Sequence, residues 1–252
     1  MQTALRCPKL FHFRYVDKIK EPEVMPDARI GKAVHKALEF ALQGMGLDEA
    51  LQAGRKDLPD EDEARRYDRI CENIPHYLMR VDAFRDRKRV GRQYVEFRLA
   101  IREDGSSTAF FAKDALVRGI LDVMYSYDGD QLALVDHKSG RRHPHASIRE
   151  QLQGYAVLAS AYLQRARSLH LGVHWVADSI VEWIAPISKS EVDERLRPML
   201  LSNVEAASLA VVDGPRAQTS SWCERCSYRS MCPEGQAWRF EPVDEEPDPG
   251  IY

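Results

Sequence analysis

Residues 116–127 read "LVRGILDVMYSY" and residues 131–139 read "QLALVDHKS", with only "DGD" between them. Both flanks are rich in β-branched and aromatic residues, and Asp-Gly between such runs signals a hairpin, so two antiparallel strands are predicted. A three-residue loop of Asp128, Gly129 and Asp130 pairs Tyr127 with Gln131 and, counting back, sets Asp122 opposite Asp136. A two-residue turn would offset the pairing by one and put the two acids on opposite faces unless a bulge corrected it. Lys138 follows Asp136 by two positions, and residues i and i+2 of a strand share a face. The hairpin therefore predicts two carboxylates and one ammonium in a single small volume.

The flanking sequence completes a mixed α/β domain. "RIGKAVHKALEFALQ", residues 29–43, is apolar at 34, 37, 38, 41 and 42, a helical period, and a second helical region covers about 60–86. "QYVEFRLAI" reads as a strand, "REQLQGYAVLASAYLQRA" at 149–166 as a long helix, and "HLGVHWVADSIVEWIAP" as a further strand. A last helix is expected from Ser190 as N-cap. No internal repeat is visible. Residues 1–240 are expected to form one domain with a helical insertion at about 45–90, and "EPVDEEPDPGIY" to be an acidic, disordered tail at 241–252.

Composition excludes some partners. No apolar run approaches the ~20 residues of a membrane helix, and "MQTALRCPKLFHFRYV" lacks a secretory pattern, so a reducing, cytoplasmic setting without disulfides is expected. A net charge of -3 provides no global basic field. Contacts to nucleic-acid phosphates would have to come from local stretches, and two are candidates: "RVDAFRDRKRVGRQYVEFR" at 80–98 and "RRHPHASIR" at 141–149. Such runs are more often solvated faces.

Adjacent carboxylates repel, which either raises a pKa or calls for a cation. Mg2+ fits, because it takes oxygen ligands, binds through one or two carboxylates and leaves positions for phosphate. A neighbouring lysine can then hold or help deprotonate a water, a combination suited to phosphodiester hydrolysis. Taken singly, an Asp at a strand end is ordinarily a turn residue and Lys138 a surface lysine. Their conjunction carries the argument. The Lys-Ser of "HKSG" is not a nucleotide-binding loop, since the required Gly before the lysine is replaced by His137.

In their order and approximate spacing, "GKAVHKALE", "GILDVMY", "LVDHKSG" and "QLQGY" resemble the RecB-like branch of the PD-(D/E)XK nucleases. That branch includes nuclease domains of helicase-nucleases, phage exonucleases and CRISPR adaptation nucleases. The resemblance implies a restriction-endonuclease-like core, a mixed central sheet flanked by helices. It also implies His35, Asp122 and Asp136 as metal ligands, the backbone carbonyl of His137 as a further contact, and Lys138 as the catalytic lysine. Gln151 and Tyr155 match the family's Gln-x-x-x-Tyr, which borders the site, and lie on one helix face by their i, i+4 spacing. Outside this motif His35 would read as an ordinary helix histidine. Glu39 and Glu96 are expected only to support the site.

The implied activity is a Mg2+- or Mn2+-dependent exonuclease acting on single-stranded DNA or DNA ends in recombination, repair or phage DNA processing. Trimming of DNA for a CRISPR integrase partner is the related alternative, and a catalytically idle, iron–sulfur DNA-binding subunit the alternative of another class.

Three of five cysteines form "CERCSYRSMC", a Cys-x2-Cys-x5-Cys group of Cys223, Cys226 and Cys232, and Cys7 could supply a fourth ligand. By spacing alone, four thiolates suit zinc or an iron–sulfur cluster equally. The resemblance implies a structural [4Fe-4S] cluster tying the chain's two ends together. Cys71, inside a helical apolar period, reads as a small buried hydrophobe. Two departures from the family stand out: the leader before Cys7 is only six residues long, and His137 replaces the more frequent aromatic between Asp136 and Lys138.

Overall fold

The structure, a computed structural model, describes residues 2–22, 25–140, 142, 146–212 and 214–239. The expected acidic tail and residues 141 and 143–145 of the basic stretch at 141–149 lie outside these residues. The chain divides into two compact units, one of residues 26–204 and one of residues 1–25 with 205–252.

The larger unit begins with four helices: α1 Pro26–Leu42, α2 Leu47–Arg55, α3 Glu61–Cys71 and α4 Ile74–Arg87. The single helical region expected at 60–86 is thus two helices. Pro75 explains the break, because a residue with no N–H is tolerated in a first turn but not inside a helix. Asp60 caps α3 by accepting from Glu63 N at 2.9 Å. Glu63 is itself buried and held by Arg29 of α1, with Nε 2.9 Å from Oε2.

The strands are β1 Val90–Ile101, β2 Ser107–Thr108, β3 Val117–Tyr127, β4 Gln131–Lys138, β5 Ser168–Trp175, β6 Ile180–Trp183 and β7 Ile187–Ser188. They make one mixed sheet in the order β2-β1-β3-β4-β5-β6, with β7 pairing β5. β4 and β5 are parallel and joined through helix α5, Ala146–Tyr162, as a parallel pair requires. The stretch expected as one strand at 170–186 folds back on itself as β5 and β6, through a turn at Val176–Asp178 and Ser179 in the left-handed region. The final helical run is capped by Ser188, whose Oγ accepts from Glu191 N, rather than by Ser190.

The β3–β4 register is the one expected: Tyr127 pairs with Gln131 and Val123 with Val135. Val123, Tyr125 and Tyr127 enter the core beneath α1, α3 and α4, together with Ala133 and Val135 of β4. Gly119 has the same parity as Val123, yet a side chain there would meet Tyr155 and Leu158 of α5. Face alternation therefore slips between these two residues. The slip falls where the β1–β3 ladder skips Glu96 and Asp122, and Glu96 there has φ +48°. A left-handed glutamate inside a strand is a costly conformation, of a kind that clusters at functional sites.

The smaller unit ties the chain's two ends together. Arg6 of the short helix Gln2–Arg6 lies over the ring of Trp222 in the C-terminal turn Ser221–Arg225, 4.2 Å from its centre. Lys9 N donates to Arg216 O at 3.0 Å, Lys9 Nζ pairs with Glu234 at 2.7 Å, and the buried Tyr228 donates to Ile19 O at 2.8 Å.

Candidate active site

The slip at the Glu96–Asp122 rung gathers a polar cluster at the middle of β3 and the C-terminal end of β4. Asp122 lies between two elements. Its Oδ1 is 3.5 Å from His35 Nδ1 on α1, and its Oδ2 accepts from His137 N across the hairpin at 2.6 Å. One ligand atom from each of His35, Glu96 and Asp122 lies within 4.8 Å of the others.

Asp136 stands beside this trio. Its Oδ2 is buried and forms an ion pair with Lys138 Nζ at 2.7 Å. Gln151 of α5 joins the two residues: its Oε1 accepts from Lys138 Nζ at 3.1 Å and its Nε2 donates to Asp136 Oδ1 at 3.0 Å. The same Nε2 lies 2.8 Å from Tyr155 Oη, one turn later. The structure thus brings His35, Asp122, Asp136, Lys138, Gln151 and Tyr155 into one neighbourhood, along with the main chain of His137.

The charges are mutually adjusted. Burial alone would raise the pKa of Asp122, but His35 and the His137 amide hold it below the ordinary carboxylate value. Burial likewise works against a charged His35, and the carboxylates of Asp122 and Asp136 reverse this, so its pKa is raised. Asp136 is raised by burial, with the Asp122 charge adding to it and Lys138 opposing it. Glu96 is pushed up to about 6 by burial and by the negative charges of Asp122 and Glu39. Acids crowded this way lack positive charge, and a divalent cation supplies it.

Two contributions were not legible beforehand. Glu96, expected only as support, belongs to the tightest trio. Its signal is visible only in register, since it falls on the rung opposite Asp122. The His137 imidazole points away into the core, where Nδ1 lies 3.1 Å from Nδ1 of the fully buried His174, whose ring stacks on Tyr77 at 3.8 Å. Burial depresses both imidazoles, His137 to about 4 and His174 to about 2, so both are neutral fillers at neutral pH.

The basic stretch at 80–98 is only partly paired: among the described residues Arg80, Arg87, Arg89, Arg92 and Arg98 make no ion pair. Arg85 is matched by Asp82 and Lys88 by Asp128.

In the smaller unit Cys7, Cys223, Cys226 and Cys232 line one cavity with Arg6, Lys9 and Gly235. All are free thiols. Cys232 Sγ accepts from Gly235 N at 3.4 Å and Cys223 Sγ from Ser220 N at 3.5 Å.

A mixed sheet whose central hairpin presents Asp, Asp-x-Lys and a flanking helix histidine defines a class of metal-dependent phosphodiesterases. The sequence model of the PD-(D/E)XK nuclease superfamily matches residues 1–233, and the chain belongs to that superfamily. No curated protein matches the chain. Among solved structures it is similar to one titled "Crystal structure of SSO0001", at 14% identity and a TM-score of 0.39, over 90% of this chain and 93% of that one. Among the described residues no helix is long and apolar enough to cross a membrane.

Proposed function

We propose that the chain is a Mg2+- or Mn2+-dependent deoxyribonuclease that removes nucleotides from single-stranded DNA or DNA ends. The observation that carries this reading is the joining of Asp136 and Lys138 through Gln151, beside the His35–Glu96–Asp122 trio. The donor set fits the ion: carboxylate oxygens suit Mg2+, one imidazole favours Mn2+ as well, and Asp136 Oδ2 is a buried acceptor beside Lys138. His35, Asp122 and Asp136 would hold the ion, with Glu96 beside them and the His137 carbonyl as a main-chain contact. When bound, it supplies positive charge for the developing negative charge on phosphate oxygens and for lowering the pKa of water.

The chain's own groups do the rest. Lys138 Nζ, partly exposed and oriented by Gln151, holds the attacking water and draws electron density from it. Asp136 keeps that ammonium in place. Tyr155, which burial keeps protonated, supports Gln151. Holding nucleophile and phosphate in register supplies much of the rate in such a reaction.

The four cysteines support a [4Fe-4S] cluster in the smaller unit. They line one cavity, and the Gly235 and Ser220 amides donate to the Cys232 and Cys223 sulfurs. Four thiolates with such N–H donors are able to hold a polynuclear cluster.

An end-labelled single-stranded oligonucleotide incubated with Mg2+, Mn2+ or EDTA tests the assignment. Products should form only with metal and disappear in folded Asp136→Ala and Lys138→Ala variants. Full cleavage by either variant, or DNA binding without any product from the wild type, would overturn it.

A further inference from the structure

Arg98, the last cation of the basic stretch at 80–98, is not matched to a carboxylate. Among the described residues it makes no ion pair. Its guanidinium instead lies 5.8 Å from the ring centre of Phe110 and 5.7 Å from that of Phe111. The two rings meet edge to face at 5.0 Å, and Phe111 is 78% exposed.

An aromatic ring left in water forfeits the stabilisation of burial, and here it does so on a fastened loop. Arg118 donates from Nε to Phe110 O at 2.6 Å and from Nη2 to Ala112 O at 3.0 Å. Ala112 N bonds Ala109 O, Leu116 N bonds Ile101 O, and Asp114 is gripped by Arg102 at 2.6 Å. The ring is therefore held out in advance, which lowers the ordering cost of whatever stacks on it.

The loop also lies beside the acidic site. Arg98 pairs across the ladder with Ile120, which is exposed too. Glu96 and Asp122 are two residues along on the same two strands, about 7 Å away by strand geometry, and the Arg98 charge acts on Glu96. Lys113, exposed and without an ion pair among the described residues, adds a second cation to the loop.

A flat aromatic face beside an unmatched guanidinium is what an unpaired nucleotide recognises: the base stacks and the phosphate meets the cation. A base inside a duplex has no free face to offer. We infer that Phe111 and Arg98 form a stacking platform for an unpaired nucleotide next to the scissile bond, which makes the site selective for single-stranded DNA. The identity of the occupant rests on the nuclease reading above.

The test is binding in EDTA, which separates it from catalysis. Fluorescence anisotropy with a labelled single-stranded oligonucleotide should show Phe111→Ala weakening affinity on the order of tenfold, with Phe111→Trp restoring it and blunt duplex binding unchanged. An oligonucleotide of abasic sites should reproduce that loss on the wild type and show no further loss on Phe111→Ala. Arg98→Ala should weaken both oligonucleotides and flatten the salt dependence. Equal affinity of wild type and Phe111→Ala for the base-bearing strand overturns the platform. So does a Phe111→Ala effect confined to self-association, which would make the loop a contact between copies. Because no cleavage is involved, absent nuclease activity with a preserved Phe111 effect would refute the enzyme assignment alone.

Discussion

Lys138 and Gln151 are joined side chain to side chain, the ammonium donating to Gln151 Oε1 at 3.1 Å while the amide nitrogen of the same glutamine donates to Asp136 Oδ1 at 3.0 Å. One residue of α5 thus sets the position of two residues on β4. Replacing it with leucine keeps the approximate volume and removes both bonds. Gln151→Leu should lower cleavage by roughly 10- to 100-fold, the usual cost of losing a residue that orients a site. The rate should fall with little change in thermal midpoint; unchanged turnover would show that Lys138 orients itself.

Gly54 lets α2 approach α1 closely. A Cβ there would lie 2.6 Å from Ala33 O, a backbone atom two residues before His35, and 2.5 Å from Tyr67 Oη. Gly54→Ala must push the helices apart, at a cost of about 1–3 kcal/mol. Thermal unfolding should show a lower midpoint. An unshifted midpoint would mean that the contact relaxes without cost.

Cys71 differs from the other cysteines. Burial pushes its thiol up to about 12. A raised value keeps the group neutral until the pH nears it, so at pH 8 roughly one thiol in ten thousand is the reactive thiolate. Iodoacetamide followed by mass spectrometry should leave Cys71 unmodified in the native protein and label it after denaturation. Labelling of the folded chain at pH 8 would contradict its burial in the α3 core.

Cys223→Ser replaces a soft sulfur donor with a hard hydroxyl in the four-cysteine group. Anaerobically purified wild type should carry visible absorbance with iron and sulfide, and the variant should lose most of both. Because the smaller unit is joined by Lys9–Arg216 and Lys9–Glu234 contacts, limited proteolysis should cut the variant faster within residues 1–25. Stoichiometric zinc without iron in the wild type would refute the cluster.

The sequence by itself determined the hairpin and what it carries. "DGD" specifies the loop, the period of two specifies the facing residues, and Asp122, Asp136 and Lys138 follow from counting. Such relations are local, set by backbone geometry within some twenty residues. The i, i+4 pair of Gln151 and Tyr155 was legible for the same reason, as was the apolar stripe around His35. Only the tertiary structure decided that Glu96 enters the trio, that α5 brings Gln151 between Asp136 and Lys138, and that Arg98 rests on Phe110 and Phe111. Each depends on contacts between segments distant in the chain or on a ladder irregularity, the left-handed turn at Glu96, that no local pattern encodes. A strand's face is a local property, but what stands opposite that face is chosen by the packing of the whole unit.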